Sequence, residues 1–485
     1  VYCVTPLCPR VNFGVHNNNV INLVRGIRER VFAVEKGGEL VKPPRPGPGA
    51  WLEELAWEAE YLDSRAYPTI RWTEAEFLST FSGRRLTVYS CAVATLACLP
   101  VHRGDADSKG FLKAEKINFS AKEDPAPRLI HPRDPRYNVE VGRYIKRIEH
   151  DVYHGIDAMW GHRTVLKGYN ARRVAGILRQ KWDMFDQPVS IGLDASRFDQ
   201  HVSVDALKWE HERYLGWFRG HDREILRELL SWQLGTKCWS RADDGSVRYY
   251  VDGMRFSGDM NTGLGNCLLM SALVHAWCRK RGVKAALGNN GDDCALILSG
   301  RQVAQLDLVA MCAWFGKLGF TLKVEGITDV FEGIEFCQSH PVVSGSGYVM
   351  ARKHGVAMAK DCISLKPLDN QSVFNKWRRA VGLSGLALAS GVPVQQSFYL
   401  AFMRGAGDVA LSDPTLETGM ARLAVGLESR TSDVTPEARY SYWLAFGISP
   451  DEQVALEAEL DCVDLVWTQP RAEGFHESHF LDLFL

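Results

Sequence analysis

The chain has 485 residues, 46% hydrophobic and 24% charged, with a net charge of −1. That length exceeds one ordinary core and predicts two or three subdomains. The composition is that of a globular protein, and the balanced charge excludes a tail that coats nucleic acid nonspecifically while leaving room for an internal basic channel. Twelve scattered cysteines without a Cys-x-x-Cys pair argue against a structural zinc site or a secreted disulfide framework and fit reduced thiols in the cytosol.

In chain order, Lys42 to Gly49 reads Lys-Pro-Pro-Arg-Pro-Gly-Pro-Gly, which excludes helix and central strand and predicts an ordered crossing or a linker. A helical stretch follows over Trp51 to Leu62. Leu86 to Val101 is the nearest approach to a membrane span, but it falls short of the ~18–20 apolar residues required and predicts a buried helix. Asp105 to Lys109 predicts a loop. Next comes a basic region with Lys113, Lys116, Lys122, Arg128, Arg133, Arg136, Arg143, Lys146 and Arg147, interspersed with acids. Most such stretches are solvated mixed-charge faces. Here Pro125, Pro127 and Pro132 stiffen the segment, which suits an extended finger holding cations over a channel.

Ser190-Ile191-Gly192-Leu193-Asp194 predicts a short strand ending at Asp194, with a turn and a helix beyond. Gly253 to Asn266 carries closely spaced glycines, where backbone can approach a ligand, and then runs into an apolar helix. Asn266, near the start of that helix, can point back to Asp199, and such a pair can sense a ribose 2′-hydroxyl. Asn290-Gly291-Asp292-Asp293 lies between two apolar runs and predicts a hairpin of buried strands. Two carboxylates on such a turn repel each other and lose hydration. A divalent cation offsets both costs, and Mg²⁺ takes one or two carboxylates plus substrate phosphates. Asp194 facing Asp292 would hold two metal ions, activate an attacking 3′-hydroxyl and stabilise a departing pyrophosphate. Each segment also has a plainer reading: a solvated turn at Gly291, a helix N-cap at Asp194, a polar loop ahead of a core helix. His150 and His201 lack partners at metal spacing and predict structural histidines. Beyond residue 365 the pattern turns helical, as at Val373–Val381 and Tyr440–Leu444.

Taken in order and spacing, Asp194–His201, Ser257–Thr262 and Asn289–Cys294 resemble motifs A, B and C of viral RNA-dependent RNA polymerases, in the tombusvirus-like plus-strand group that includes carmoviruses and umbraviruses. The likeness extends to Lys113–Tyr144 (motif F), Phe315–Glu325 (motif D) and Glu335-Phe336-Cys337-Gln338 (motif E). It implies an α/β (α+β) closed right hand. Residues 1–185 would form an N-terminal segment and fingers, with a basic finger at 111–147. The palm, on an antiparallel sheet, would take 186–205 and 251–365, with a fingers insert at 206–250 and a helical thumb at 366–485.

The resemblance also implies an RNA-directed RNA polymerase joining NTPs to a nascent RNA 3′-hydroxyl. Asp194 and Asp292, assisted by Asp293, would bind Mg²⁺, which Mn²⁺ can replace. Asp199, Ser257, Thr262 and Asn266 would select the ribose. Lys113 and Arg128 would hold the triphosphate, joined by Lys122, where the local spacing departs from better-known relatives. Lys323 or Lys317 would protonate the leaving pyrophosphate. Arg136, Gly258 and Cys337 would touch RNA, with Phe336 turned to the core. Implied partners are template and nascent RNA, NTPs and a viral auxiliary replication protein. The expected place is the host cytoplasm, at membrane-associated replication complexes reached through an upstream segment or partner. A start at Val1 agrees with the downstream part of a readthrough or frameshift product. A reverse transcriptase would typically screen the 2′-hydroxyl with a bulky residue and carry an aromatic or hydrophobic residue two before its Asp-Asp pair, where this chain has Asn290-Gly291. An inactive RNA-binding scaffold would tolerate loss of the carboxylates, all of which are present.

Overall fold

A computed structural model describes residues 2–4, 7, 13–121, 124–345, 347–412 and 419–467. A four-stranded antiparallel sheet lies at its centre, in the order Ala285–Asn290, Asp293–Ser299, Pro188–Ala195, Leu322–Thr328. The Asp293–Ser299 strand is apolar almost throughout because both of its faces are covered. Leu296 and Leu298 enter one core while Ala295 and Ile297 enter another, as the two-residue strand period dictates.

On the first face lies the helix Thr262–Arg281, buried continuously from Leu264 to Val274. A helix that is apolar all round belongs inside a core. The long helix Pro135–Trp160 packs against it, started by Asp134, whose side chain accepts the Arg136 N–H at 3.0 Å, with proline in its first turn. On the second face lie the helix Ala171–Trp182, the hairpin Ser339–Ser344/Gly347–Arg352 and the helices Gln371–Ala389 and Gln395–Met403. A second four-stranded sheet, in the order Gly245–Asp252, Gly235–Ala242, Phe111–Leu112, Leu129–Ile130, joins the 206–250 segment to the basic region.

The proline-rich crossing is ordered. Pro44 and Pro46 lie against Gly319, which turns the chain with φ +91 just before the Leu322–Thr328 strand. Trp51, buried one turn later, donates its Nε1–H to the Leu318 carbonyl at 3.2 Å. The helical stretch beyond is broken at Leu55 into Ala50–Glu54 and Ala56–Asp63.

Leu86–Val101 departs from expectation. Its helix spans Gly83–Leu96 and buries only Ala92. Its apolar residues are separated by Thr, Ser and Arg and form no wide stripe, so it lies as an outer layer over Phe77, Phe81 and the long helix. No described helix is long and apolar enough to cross a membrane.

Candidate active site

Gly291 and Asp292 form a two-residue hairpin turn between the paired residues Asn290 and Asp293. Gly291 has φ +92 while Asp292 is not in the positive region, the II′ pattern that needs glycine first. The buried Asn289 staples this turn. Its Nδ2 donates to the Gly291 carbonyl at 2.6 Å and its Oδ1 accepts the Gly291 N–H at 3.3 Å. The neighbouring strand pairs Leu193 with Cys294, which brings Asp194 to the level of Asp293. Asp194 is thus inside a strand, and the N-cap reading falls away. Across the sheet Lys323 pairs with Asp194.

Electrostatics follow from this crowding. Burial raises the Asp194 pKa, the Asp292 charge raises it further, and Lys323 opposes both. Burial and then Asp292 push Asp293 up to about 6, with Glu325 and Asp194 adding to the effect. Among the described residues, no group of three or more His, Cys, Asp or Glu is arranged to enclose a metal by itself. The donor set is an open one of crowded hard oxygens, only partly balanced by Lys323, which suits a cation completed by water or phosphate.

Beside the turn is a cavity of about 250 Å³, lined by Arg30, Lys113, Arg128, Asp199, Ser257 and Asp292, among others. Lys113 and Arg128 both reach Glu115 Oε2, at 3.0 and 3.2 Å. Arg30 is a cation that sequence reasoning missed. It projects from a π-helical turn, Arg28–Phe32, clamped onto the 197–200 segment by Arg197 and by Gln200, whose Nε2 donates to the Ala33 carbonyl at 2.8 Å. Arg30 donates to the Ala126 carbonyl at 3.2 Å, while its buried Nε has no partner. Burial, with Arg197 and Arg128 nearby, lowers its pKa to about 10. The cluster Arg25, Arg28, Arg30 was the available signal, but charge alone does not reveal a π turn.

Asn266 Nδ2 donates to Asp199 Oδ1 at 2.8 Å, so the expected pair meets in space. Burial, foremost, raises the Asp199 pKa. Ser257 Oγ accepts the His131 N–H at 3.1 Å, and a buried Arg133–Asp259 ion pair reinforces that junction. Gly258 sits where these loops cross: a Cβ there would overlap the backbone of His131 and Pro132, so it faces protein. The Thr262 hydroxyl lies against the carbonyls of Phe256 (2.7 Å) and Asp259 (2.9 Å), closing the loop, and does not line the cavity.

Arg136, expected to touch RNA, is engaged by protein groups. Its guanidinium reaches Asp105 (3.3 Å), Thr95 Oγ1 (2.8 Å) and the carbonyls of Leu99 (2.6 Å) and Pro100 (3.0 Å). It staples the outer Gly83–Leu96 helix to the long helix and has little left to offer a ligand. Lys122 lies outside the described residues. Glu335–Gln338 does not alternate as a strand, because Cys337 and Gln338 have φ +51 and +57 and the hairpin begins at Ser339. Phe336 is nonetheless in the core, and Cys337 Sγ accepts from Asn290 Nδ2 at 3.1 Å. Lys317 stands beside Lys280, whose pKa burial foremost and then the Lys317 charge lower, and not in the field of Asp194. His201 is buried with Nδ1 3.0 Å from the Arg197 carbonyl, and the exposed His150 stands edge-on to Tyr153.

The family described as viral RNA dependent RNA polymerase matches the chain over residues 1–468. The RNA-directed RNA polymerase of melon necrotic spot virus is 44% identical over 472 residues, covering 96% of this chain and 59% of that protein. That of turnip crinkle virus is 43% identical over 465 residues, 94% of this chain and 59% of the relative. That of tomato bushy stunt virus (strain Cherry) is 41% identical over 477 residues, 98% and 58%. The chain spans less than two thirds of the length of these relatives.

Proposed function

The chain belongs to the viral RNA-dependent RNA polymerase family, and from that membership we propose that it copies an RNA template by joining NTPs to a nascent RNA 3′-hydroxyl. One observation carries the reading: Asp292, beside Asp194 and Asp293 at the end of the sheet, lines a cavity whose other walls supply Lys113, Arg128 and Asp199, with Asn266 hydrogen-bonded behind Asp199. The central sheet with Asp194 and the Asp292 turn would serve as the palm (186–205 and 251–365). Residues 1–185 and 206–250 would be fingers, and the helices beyond 366 the thumb.

Asp194 and Asp292, with Asp293, would hold Mg²⁺ or Mn²⁺, since their oxygens suit a hard cation and their crowding calls for one. When bound, the metal supplies activation of the 3′-hydroxyl and charge neutralisation at the pyrophosphate. The chain's own groups do the rest. Lys113 and Arg128 exchange Glu115 for the triphosphate, a swap of one anion for another that leaves neither cation unpaired. Asp199 and Asn266 receive the ribose 2′-hydroxyl, with Ser257 on the same wall. Lys323 holds a proton at Nζ for the leaving pyrophosphate oxygen. Partners in this reading are template and nascent RNA and a viral auxiliary protein, at membrane-associated complexes in the host cytoplasm.

The test is primer-independent synthesis on an RNA template with ribo- and deoxyribonucleotides, with and without Mg²⁺ or Mn²⁺. Metal-dependent incorporation of ribonucleotides is expected. RNA binding without incorporation under any metal condition would favour an inactive scaffold, and equal use of both sugars would discard the ribose assignment.

A further inference from the structure

The 206–250 segment reaches the sugar side of the cavity through a chain of buried polar contacts. Glu210, on the helix Val204–Leu215, is fully buried. Its carboxylate accepts from Asn261 Nδ2 and the Tyr214 hydroxyl, both at 2.8 Å, and forms an ion pair with Arg255 in which both side chains are out of solvent. Such a pair repays its desolvation only with close geometry and further hydrogen bonds. Gly265 permits that geometry, because a Cβ at 265 would overlap both the Arg255 guanidinium and the Glu210 carboxylate. Arg255 Nε then donates to Asn266 Oδ1 at 3.2 Å, and Asn266 Nδ2 donates to Asp199 Oδ1 at 2.8 Å.

An asparagine amide has two near-isosteric orientations, and its hydrogen-bond partners choose between them. Arginine has only donors, so Arg255 accepts one orientation: oxygen towards itself, nitrogen towards Asp199. We propose that Arg255, held by Glu210 and seated by Gly265, is a positioning residue for sugar selection that fixes the polarity of the Asn266 amide. The Asn266–Asp199 pair then presents an N–H donor and a carboxylate acceptor to a ribose 2′-hydroxyl. This rests on the reading of that pair under the proposed polymerase activity. A flipped amide would set oxygen against the Asp199 carboxylate and offer the hydroxyl no donor. Glu210 does not line the cavity, so a helix outside the site contributes to substrate choice.

The experiment measures the ratio of ribo- to deoxyribonucleotide kcat/KM for one base on one template. Arg255→Lys keeps a charge opposite Glu210 but loses the planar fork. The double variant Glu210→Gln/Arg255→Met removes both charges, so that neither is buried alone. The ratio is expected to fall at least about tenfold in both, mainly through weaker ribonucleotide use. An unchanged ratio in a variant that still incorporates nucleotides overturns the proposal. A second measurement needs no variant: the unsubstituted chain is given 2′-fluoro nucleotides, whose fluorine accepts a hydrogen bond and donates none. A fixed N–H donor makes them better substrates than 2′-deoxynucleotides, and equal use overturns the proposal. Absence of any ribose preference in the unsubstituted chain would overturn the Asp199–Asn266 reading together with it, and absence of all incorporation the polymerase reading itself.

Discussion

Lys323 stands directly opposite Asp194 across two antiparallel strands, so an ammonium and a carboxylate share one face at the end of the sheet that carries the Gly291–Asp292 turn. Its charge draws the Asp194 pKa down against burial and Asp292. Lys317, six residues earlier in the chain, stands instead beside Lys280. Lys323→Ala is therefore expected to lower kcat about 10²-fold, the usual contribution of a general acid, with little change in KM. Lys317→Ala should leave kcat near that of the unsubstituted chain. Single-turnover incorporation decides, and the reverse ranking would move the proton donor to Lys317.

Metal dependence should carry the signature of Asp293. Its folded pKa is about 6 against an ordinary 3.8. The fold favours the neutral acid, so in metal-free protein this contribution to stability is present below about pH 4 and lost as pH rises through about 6. Metal binding needs the carboxylate and acts in the opposite sense. The Tm gain on adding Mg²⁺ is expected to be larger at about pH 7.5 than at about pH 5.5. Equal gains at both would remove Asp293 from the ligand set. Asp292→Ala should abolish both the gain and incorporation, while RNA binding, resting on phosphate contacts, stays within a few-fold.

Lys113 and Arg128, which share Glu115, together with Arg30 should behave as a triphosphate grip. Arg128→Ala and Arg30→Ala are each expected to raise KM for all four nucleotides together, because under the proposed reading these cavity-lining cations meet phosphate and read no base edge. Steady-state kinetics with each NTP in turn checks this, and an effect confined to one base contradicts it. Glu115→Gln frees Lys113 and Arg128 from their internal anion and should lower KM.

Stability of the turn depends on Asn289. Its side chain is fully buried and makes two hydrogen bonds to Gly291. Asn289→Ala leaves those backbone groups unpaired and should cost about 1–3 kcal/mol in chemical denaturation, together with a loss of incorporation. A stable but inactive variant would show that the staple aligns Asp292 without bracing the fold.

Legibility in the sequence followed locality. The hairpin turn could be read because Gly291 supplies a backbone angle that few residues adopt, and the strands beside it because apolar runs flank it. The level of Asp194 follows from strand pairing once the hairpin is granted. Partner choice was not legible. Arg136 lies in the same basic run as Arg128, yet carbonyls at Leu99 and Pro100 engage it, and composition gives no hint of where those carbonyls fold to. Alternation placed Phe336 correctly in the core but did not reveal the backbone beyond it, where Cys337 and Gln338, two non-glycine residues, stand at positive φ. Arg30 was hidden by a π turn that adds a residue to the helical period. The Gly83–Leu96 helix read as buried because its average apolarity conceals the lack of a continuous face.

The clasp between Trp51 and Leu318 joins residues 267 positions apart. During synthesis the Trp51 ring, only 2% exposed in the finished fold, leaves the ribosome long before its partner exists. At ~5–20 residues per second that wait is roughly 13–53 s. Until Trp209 emerges the Trp51 ring lacks even its first aromatic neighbour, and until residues 318–320 emerge its pocket stays open, which makes the aromatic and proline-rich segment a ready ligand for holding chaperones. Nascent chains arrested before residue 320 should be prone to aggregation, and slowing translation downstream of the leading segment should lower the soluble yield.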